Sequence, residues 1–318
     1  MKKTVLFAFA LLVSISSGFS QKVNFLVNWE PQAQFAGYYV ALDKGFYAEA
    51  GLEVDMKHWS PNAAGSPLDA LSTGMADIAT SMLLQGFIET VNNNLDIANI
   101  FLSSQRSAMI LVSHSDLTNV DLKKVTGSRV GRWKSGFGQE ADMLAKKYGM
   151  NWEWIYFNSG VNLFISKAID ATLCYSFSEF IDLKMAMGDI PENNVVRFAN
   201  IGYDFPQDAL FANRTFLETK RSVVDKFLQA SRKGWIYAAS HEEETLDIVM
   251  KYIKANNYHK NRIQQKLMLE EILKLQINPE TGKRDFAPLK ASTFNKMKNE
   301  SSSIGLISGT IKYEDFVR

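Results

Sequence analysis

The sequence predicts an α/β protein built as two lobes. The chain has 318 residues, more than one average domain and fewer than three. Hydrophobic residues make up 46% of it and charged residues 22%, the balance of a chain that buries an ordinary globular core. From Gln21 onward short β-like runs alternate with helical ones, a pattern typical of layered folds with largely parallel strands.

The first lobe begins with a strand at 23–29 and a helix whose apolar face carries Phe35, Tyr39, Leu42 and Phe46. An alternating strand follows at 52–57, and the loop 60–67 opens the next helix. Further strands are predicted at 77–81, 97–102 and 108–112.

A polar, turn-rich stretch at 113–122 separates this segment from a second series of the same kind. Its strands are predicted at 129–133, 152–157, 171–175 and 195–198, and its helices at 139–148, 161–168 and 178–187. The helical remainder after Arg221 has no strand-rich content of its own, so it is expected to pack on the first lobe. The predicted division is therefore 21–113 plus 207–318 for lobe I and 114–206 for an inserted lobe II. The chain would pass between the two lobes twice, and two such connecting segments suit a hinge that closes over a cleft.

The first twenty residues have the layout of a secretory signal peptide. Lys2 and Lys3 precede an apolar run at 5–13, and small residues lead up to Ser20. Nine apolar residues are too few to span a bilayer. Since Gln21, and not a cysteine, stands directly after the expected cleavage site, the predicted product is a periplasmic protein without a lipid anchor.

Several functions lack support in the sequence. Lys plus Arg number 35 against 34 Asp plus Glu, and no basic run appears, so no nucleic-acid partner is expected. The four histidines show no metal-ligand spacing, and no nucleophile-elbow motif occurs. Cys174, the one cysteine, ends an apolar run and is interpreted as a buried small hydrophobe. No metal, cofactor or catalytic residue is predicted.

A glycine loop, Gly136-Phe137-Gly138, lies between a predicted strand and a predicted helix. It fits a dinucleotide motif, but Asn158 rather than an acid lies about twenty residues on. The alternatives are a flexible helix entry, or backbone N–H groups that hold a polar ligand. Asn158 precedes a similar helix entry, as does the loop at 60–65, so a shared cleft is expected at the carboxyl ends of the strands.

Aromatic residues gather at the same strand ends, together with acids. Rings are more often core than ligand platform, and acids at helix starts are often solvated, so both alternatives stay open for these residues. Together they would suit a flat, nitrogen-bearing ligand and would suit sulfonate or nitrate poorly. The rings are Trp29, Trp59, Trp133, Phe137, Phe157, Tyr175, Phe177, Tyr203 and Phe205, and the acids are Glu140, Glu179 and Asp204.

One stretch resembles a known family. Asn28-Trp29-Glu30-Pro31, followed by AGYYVALDKGFYAEAGLEV at 36–54, is similar to the opening of the NMT1/THI5-like substrate-binding proteins of ABC importers. The resemblance continues through GMAD at 74–77, the block at 130–140 and the helix at 226–238. It implies a type II periplasmic binding fold with a cleft between two lobes, and delivery of a small solute to an ABC permease and its ATPase. We expect the protein to be a monomer.

Within that family the chain looks most similar to binders of thiamine-pyrimidine precursors, with riboflavin, sulfonate and nitrate binders as alternatives. The positions that match the family at 28–29, 133–140 and 175–179, together with Ser81 and Asn158, give a predicted ligand site from five cleft segments. Its residues are Asn28, Trp29, Ser81, Trp133, Ser135, Gly136, Gly138, Glu140, Asn158, Tyr175 and Glu179.

The family also implies an enzyme alternative, a fungal synthase of the thiamine pyrimidine. That enzyme uses a lysine for pyridoxal phosphate, nearby histidines and a cysteine-rich iron motif. The lysine position falls on Ser81, and the histidine positions fall on Gln85 and Phe35. One cysteine cannot supply the iron motif, so binding without turnover is expected.

Overall fold

The computed structural model describes residues 20–60, 65–134 and 136–318. Ten strands form two five-stranded mixed sheets in the described chain. The strands are β1 (Gln21–Val27), β2 (Leu52–His58), β3 (Ile78–Met82), β4 (Ile97–Leu102), β5 (Met109–Ser113), β6 (Arg129–Trp133), β7 (Glu153–Phe157), β8 (Ala171–Tyr175), β9 (Val195–Arg197) and β10 (Asp208–Asn213).

Helices cover both sheets. They are α1 (Ala36–Asp43), α2 (Phe46–Glu49), α3 (Pro67–Ser72), α4 (Leu83–Asn92), α5 (Gln139–Tyr148), α6 (Asn162–Ile165), α7 (Glu179–Met187), α8 (Arg214–Thr219), α9 (Arg221–Ser240), α10 (Glu242–Ala255), α11 (Arg262–Leu275), α12 (Ala291–Ser303) and α13 (Tyr313–Phe316). Short 3-10 helices lie at Ala33–Phe35, Thr118–Val120, Leu122–Val125, Glu192–Asn194 and Phe198–Ile201.

The first sheet has the order β2-β1-β3-β10-β4. β1 runs parallel to β2 and β3, whereas β10 lies antiparallel between β3 and β4. Since β10 follows the whole second sheet in the chain, the first sheet is assembled from two separated segments. Sequence periodicity missed β10 because its residues are almost all buried and do not alternate with polar ones.

The second sheet has the order β7-β6-β8-β5-β9. β6 runs parallel to β7 and β8, and β5 pairs antiparallel with β8 and β9. The sequence placed β5 with the first lobe because the polar stretch comes after it. Its pairing puts it in the second sheet, so the change of sheet occurs earlier, at 103–108. We still propose a split lobe I and an inserted lobe II, with the first passage of the chain between them at 103–108.

The two segments that connect the sheets are hydrogen-bonded to each other. Arg106 Nε donates to Asp204 Oδ2 at 2.7 Å, and the backbone N–H of Ser107 donates to Asp204 Oδ1 at 2.8 Å. Gln207 adds a backbone bond to the Arg106 carbonyl at 3.1 Å. Asp204, expected in the cleft, therefore fastens the two connecting segments to each other.

The family-like segments at 36–41 and 226–238 form one close helix pair, α1 against α9. A Cβ atom on Gly234 would lie 2.1 Å from the Gly37 carbonyl oxygen, and one on Gly37 would overlap the ring of Trp235. Both glycines are therefore required by backbone approach. These segments build the core of the first lobe rather than the cleft.

No helix in the described part of the chain combines the length and apolar character that crossing a membrane requires. The predicted signal peptide lies outside the described residues, apart from its last residue, Ser20.

Candidate functional site

Residues at the carboxyl ends of strands from both sheets line one cleft. Asn28 and Trp29 follow β1, Ser81 lies near the end of β3, and Trp133 and Tyr175 end β6 and β8. Since ligands of open α/β sheets bind off this edge, we take the cleft as the candidate site. Trp29 and Phe137 line both of its chambers.

The inner chamber is nearly filled by rings. Its volume is about 20 Å³. Trp133 stacks on Tyr175 with centroids 4.8 Å apart and planes 17° apart, and Tyr175 stacks on Phe177 at 5.4 Å and 1°. Phe137 lies against this stack, 6.3 Å from both Trp133 and Tyr175, and Trp29 lies 5.7 Å from Phe137. The chamber therefore presents parallel aromatic faces contributed by the second sheet.

A buried carboxylate holds the stack in place. Glu179, at the start of α7, accepts from Trp133 Nε1 at 3.0 Å and from the backbone N–H of Tyr175 at 3.1 Å. Burial raises the pKa of Glu179, and these two donors oppose the rise. Glu179 lines the inner chamber, and it forms no ion pair with a described Lys or Arg. It can therefore accept a further hydrogen bond from a ligand.

A second buried acid, Asp208, is hydrogen-bonded to Gln34, which lines the inner chamber. Asp208 begins β10 and accepts from Gln34 Nε2 at 2.8 Å, and Gln34 Oε1 in turn accepts from Gln32 Nε2 at 2.7 Å. Burial raises the pKa of Asp208 to about 7, with the Gln34 bond lowering it. This acid was not predicted from the sequence because β10 itself was not.

Glu140 is the third buried acid near the rings, on the first turn of α5. Burial raises its pKa to about 7. Glu140, Glu179 and Asp208 together oppose a charge on the Tyr175 hydroxyl, whose pKa burial raises far above its usual value. Glu140 does not belong to the lining of either chamber, so its effect on a ligand would be electrostatic.

The outer chamber is larger, about 220 Å³, and opens beside Trp29. Asn28 lines it and is fixed by Thr80, which accepts from the Asn28 backbone N–H at 2.8 Å and donates to Asn28 Oδ1 at 2.6 Å. Ser81 also lines it. Its remaining polar lining comes from Ser66, Gln85 and Glu89, which the sequence did not assign to the site.

His58 supports the Trp29 backbone. His58 Nδ1 lies 2.7 Å from the Trp29 carbonyl oxygen, and Nε2 lies 3.0 Å from the Tyr39 hydroxyl. Burial lowers the pKa of His58 to about 4, so the imidazole is neutral and donates from Nδ1. The segment that carries Asn28 and Trp29 is therefore anchored on β2.

The structure places several predicted site residues away from the lining. Gly138 is buried with a φ of +87°, and a Cβ there would lie 2.9 Å from Leu173, so this glycine is required by packing. Gly136 and Asn158 are exposed. Ser135 lies outside the described residues. The aromatic residues Tyr203 and Phe205 are buried and line neither chamber.

Three other predicted aromatic residues lie in or beside the chambers, and the cysteine lies in the core. Trp59 lines the outer chamber, and Phe177 lines the inner one. Phe157 packs edge-on against Trp133 at 5.7 Å. Cys174 is fully buried, and burial holds the pKa of its thiol well above the usual value, which confirms its interpretation as a small hydrophobe.

The sequence profile described as NMT1/THI5 like matches residues 32–245, most of the chain. The chain belongs to the NMT1/THI5-like family. This confirms the family resemblance, and the match includes the segment at 36–54.

Curated relatives of this NMT1/THI5-like chain fall into two groups. A 4-amino-5-hydroxymethyl-2-methylpyrimidine phosphate synthase of Aspergillus parasiticus is 25% identical over 70% of each chain. A formylaminopyrimidine-binding protein of Halalkalibacterium halodurans is 23% identical over 72% of this chain and 70% of the relative. The riboflavin-binding protein RibY of Chloroflexus aurantiacus is 21% identical over 92% of this chain and 83% of the relative.

Solved structures similar to this family member show its fold. The aliphatic sulphonate binding protein SsuA of Escherichia coli aligns with a TM-score of 0.68 at 10% identity, covering 94% of this chain and 92% of that one. The ligand-binding component of an ABC-type import system from Staphylococcus aureus aligns at 0.65 and 14% identity, covering 94% and 96%. The fold is thus that of the periplasmic binding proteins, as expected.

The raised pKa of Asp208 predicts a pH-dependent change in stability. The folded state keeps the Asp208 proton up to about pH 7, whereas an unfolded aspartic acid loses it near pH 4. The wild-type protein therefore loses stability relative to an Asp208→Asn variant as pH rises through this window, by at most about 4 kcal/mol. Urea unfolding of both proteins from pH 4.5 to pH 8 measures the difference.

The matched control is Asp189→Asn, since Asp189 is exposed. Its free energy of unfolding should run parallel to that of the wild type across the range. A constant offset between Asp208→Asn and wild type would contradict the burial of an unpaired acid at this position.

Proposed function

We propose that the protein is an extracytoplasmic solute receptor of an ABC importer that binds a small heteroaromatic molecule and releases it unchanged. The observation that carries the proposal is the stack of Trp133, Tyr175 and Phe177 with the buried carboxylate of Glu179 at its edge. A flat ring supplies a face for stacking and N–H donors for the carboxylate. An aminopyrimidine of the thiamine-precursor type has both.

Admission of such a ring requires movement of the lobes. A chamber of about 20 Å³ holds no heterocycle, and its opposing walls come from Trp29 on the first sheet and Trp133 on the second. Separating the sheets about the crossings at 103–108 and 204–207 opens a slot between these rings. Ligand then stabilises the closed form to the extent that it contacts both walls.

The charge of the cleft favours a heterocycle over the anionic solutes of some structural neighbours. Glu179 lines the inner chamber and Glu89 the outer one, and no described residue that lines either chamber is Lys, Arg or His. A sulfonate or nitrate would meet these acids without a cation to balance it. Riboflavin, the ligand named for one relative, remains a second heteroaromatic candidate.

Binding without turnover is proposed from the residues at the synthase positions. Ser81 lines the outer chamber where that enzyme has its lysine. Gln85 Nε2 donates to Glu89, and Phe35 is buried against the His58 ring at 5.8 Å. None of these side chains can form the lysine-linked cofactor of the synthase. Export by the signal peptide and delivery to a permease and its ATPase complete the proposal, with the receptor as a monomer.

The proposal is tested by thermal shift with 4-amino-5-hydroxymethyl-2-methylpyrimidine, a formylaminopyrimidine, riboflavin, taurine and nitrate. At 100 times its dissociation constant a ligand adds about 2.7 kcal/mol of stability, and only the heteroaromatics should do so. Mass spectrometry after incubation should return the bound compound unaltered. A response to taurine alone, or a converted pyrimidine, would contradict the proposal.

Replacing Trp133 should weaken binding because the ligand loses its stacking face. We expect Trp133→Ala to lower affinity for the heteroaromatic found in the panel by about 1–3 kcal/mol, as for bases stacked on aromatic rings. The control is Trp154→Ala, which removes a tryptophan from the neighbouring strand β7 outside the chambers. Isothermal titration calorimetry measures both. Equal affinities in the two variants would show that Trp133 has only a packing role.

A further inference from the structure

The outer chamber differs from the inner one in size and chemistry. It holds about 220 Å³ against about 20 Å³, and the two share only Trp29 and Phe137 as lining residues. A ring placed between Trp29 and Trp133 would therefore direct any substituent on that side past Trp29 into the outer chamber. What this chamber accepts decides which derivatives of the ring can bind.

Helix α4 supplies the polar wall of the outer chamber. Gln85 and Glu89 lie one turn apart, and Gln85 Nε2 donates to Glu89 Oε1 at 2.8 Å. The other carboxylate oxygen accepts from Ser66 Oγ at 2.8 Å. Glu89 forms no ion pair with a described Lys or Arg, and burial raises the pKa of its carboxyl group while both hydrogen bonds lower it. The wall thus holds a half-buried acid supported only by neutral donors.

Side chains of the chain already occupy two N–H groups at the helix entry beside this wall. Ser66 caps α3 reciprocally with Asp69: Ser66 Oγ accepts from the Asp69 N–H at 3.3 Å, and Asp69 Oδ2 accepts from the Ser66 N–H at 2.7 Å. These two donors are therefore not available to a phosphate. The Asp69 carboxylate adds negative charge at the same place.

We propose that the outer chamber is a subsite for the ligand's substituent and selects an uncharged or cationic, hydrogen-bond-donating arm against a phosphorylated or sulfonated one. The inference rests on the proposed function and makes its substrate class narrower. The remaining lone pairs of Glu89 accept from a hydroxyl or amine on the arm. A phosphate in their place would meet the Glu89 carboxylate in a partly desolvated chamber without a counter-cation among the described lining residues.

The selectivity therefore comes from a repulsive group as much as from an attractive one. Glu89 acts as a specificity-determining residue that leaves the stacking of the ring to the inner chamber. Removing its charge should weaken binding of an uncharged ligand, since the amide is a weaker acceptor for the arm, and should raise the affinity for the phosphorylated one. The two effects can be separated with a pair of probes that share one ring.

The probes are 4-amino-5-hydroxymethyl-2-methylpyrimidine and the same pyrimidine phosphorylated on its hydroxymethyl group, titrated calorimetrically at pH 7.5. The wild-type protein should bind the alcohol at least 100-fold more tightly than the phosphate ester. Glu89→Gln should reduce this ratio at least tenfold, mainly by tighter binding of the ester. Gln85→Glu, which adds a second acid to the same wall, should increase the ratio.

The control is Glu53→Gln, which removes the same charge from an exposed position on β2 and should leave the ratio unchanged. An ester that binds the wild type within threefold of the alcohol would overturn the inference while leaving the heteroaromatic receptor intact, as would an unchanged ratio in both wall variants. If neither probe binds the wild type but riboflavin does, riboflavin and its 5′-phosphate serve as the pair. If no heteroaromatic binds, the proposed function fails, and the inference falls with it.

Discussion

The cleft depends on burial of carboxyl groups that have no cationic partner. Glu179, Asp208 and Glu140 all lie within the folded chain near Tyr175, and each has its pKa raised by burial. Such burial costs stability unless hydrogen bonds offset it. Here the offsetting donors are the Trp133 indole, the Tyr175 backbone and the Gln34 amide. The two bonds to Glu179 also fix the Trp133 indole and the Tyr175 backbone relative to each other.

This arrangement explains how one framework can serve several ligands in related proteins. Strand pairing and helix packing define the two sheets, and the ligand chemistry is set by a few side chains at the strand ends. Replacing an acid in the cleft by a neutral or basic residue would change which ligand charge is tolerated without altering the sheets. The cleft of this chain has acids and rings at these positions, which accords with neutral or cationic heteroaromatics.

The sequence predicted the two-lobed α/β fold because most strands and helices have clear periodicity. It also singled out Trp133, Tyr175 and Glu179, which line the inner chamber, because they lie at a strand end or a helix start where the pattern changes. It missed β10, whose buried residues lack alternation, and with it Asp208. Gln85 and Glu89 were missed as site residues because a helix such as α4 shows in sequence which face is apolar but not which polar residue borders a cavity. The glycine loop was interpreted as a ligand site, whereas Gly138 is needed for packing against Leu173.

The most direct test of the account is a crystal structure of the protein grown with 4-amino-5-hydroxymethyl-2-methylpyrimidine. The account predicts the pyrimidine between Trp29 and Trp133, with its amino group within hydrogen-bond distance of Glu179 and its hydroxymethyl group toward Glu89. A pyrimidine bound outside this cleft, or a cleft whose rings stay packed together with the compound at saturating concentration, would contradict it.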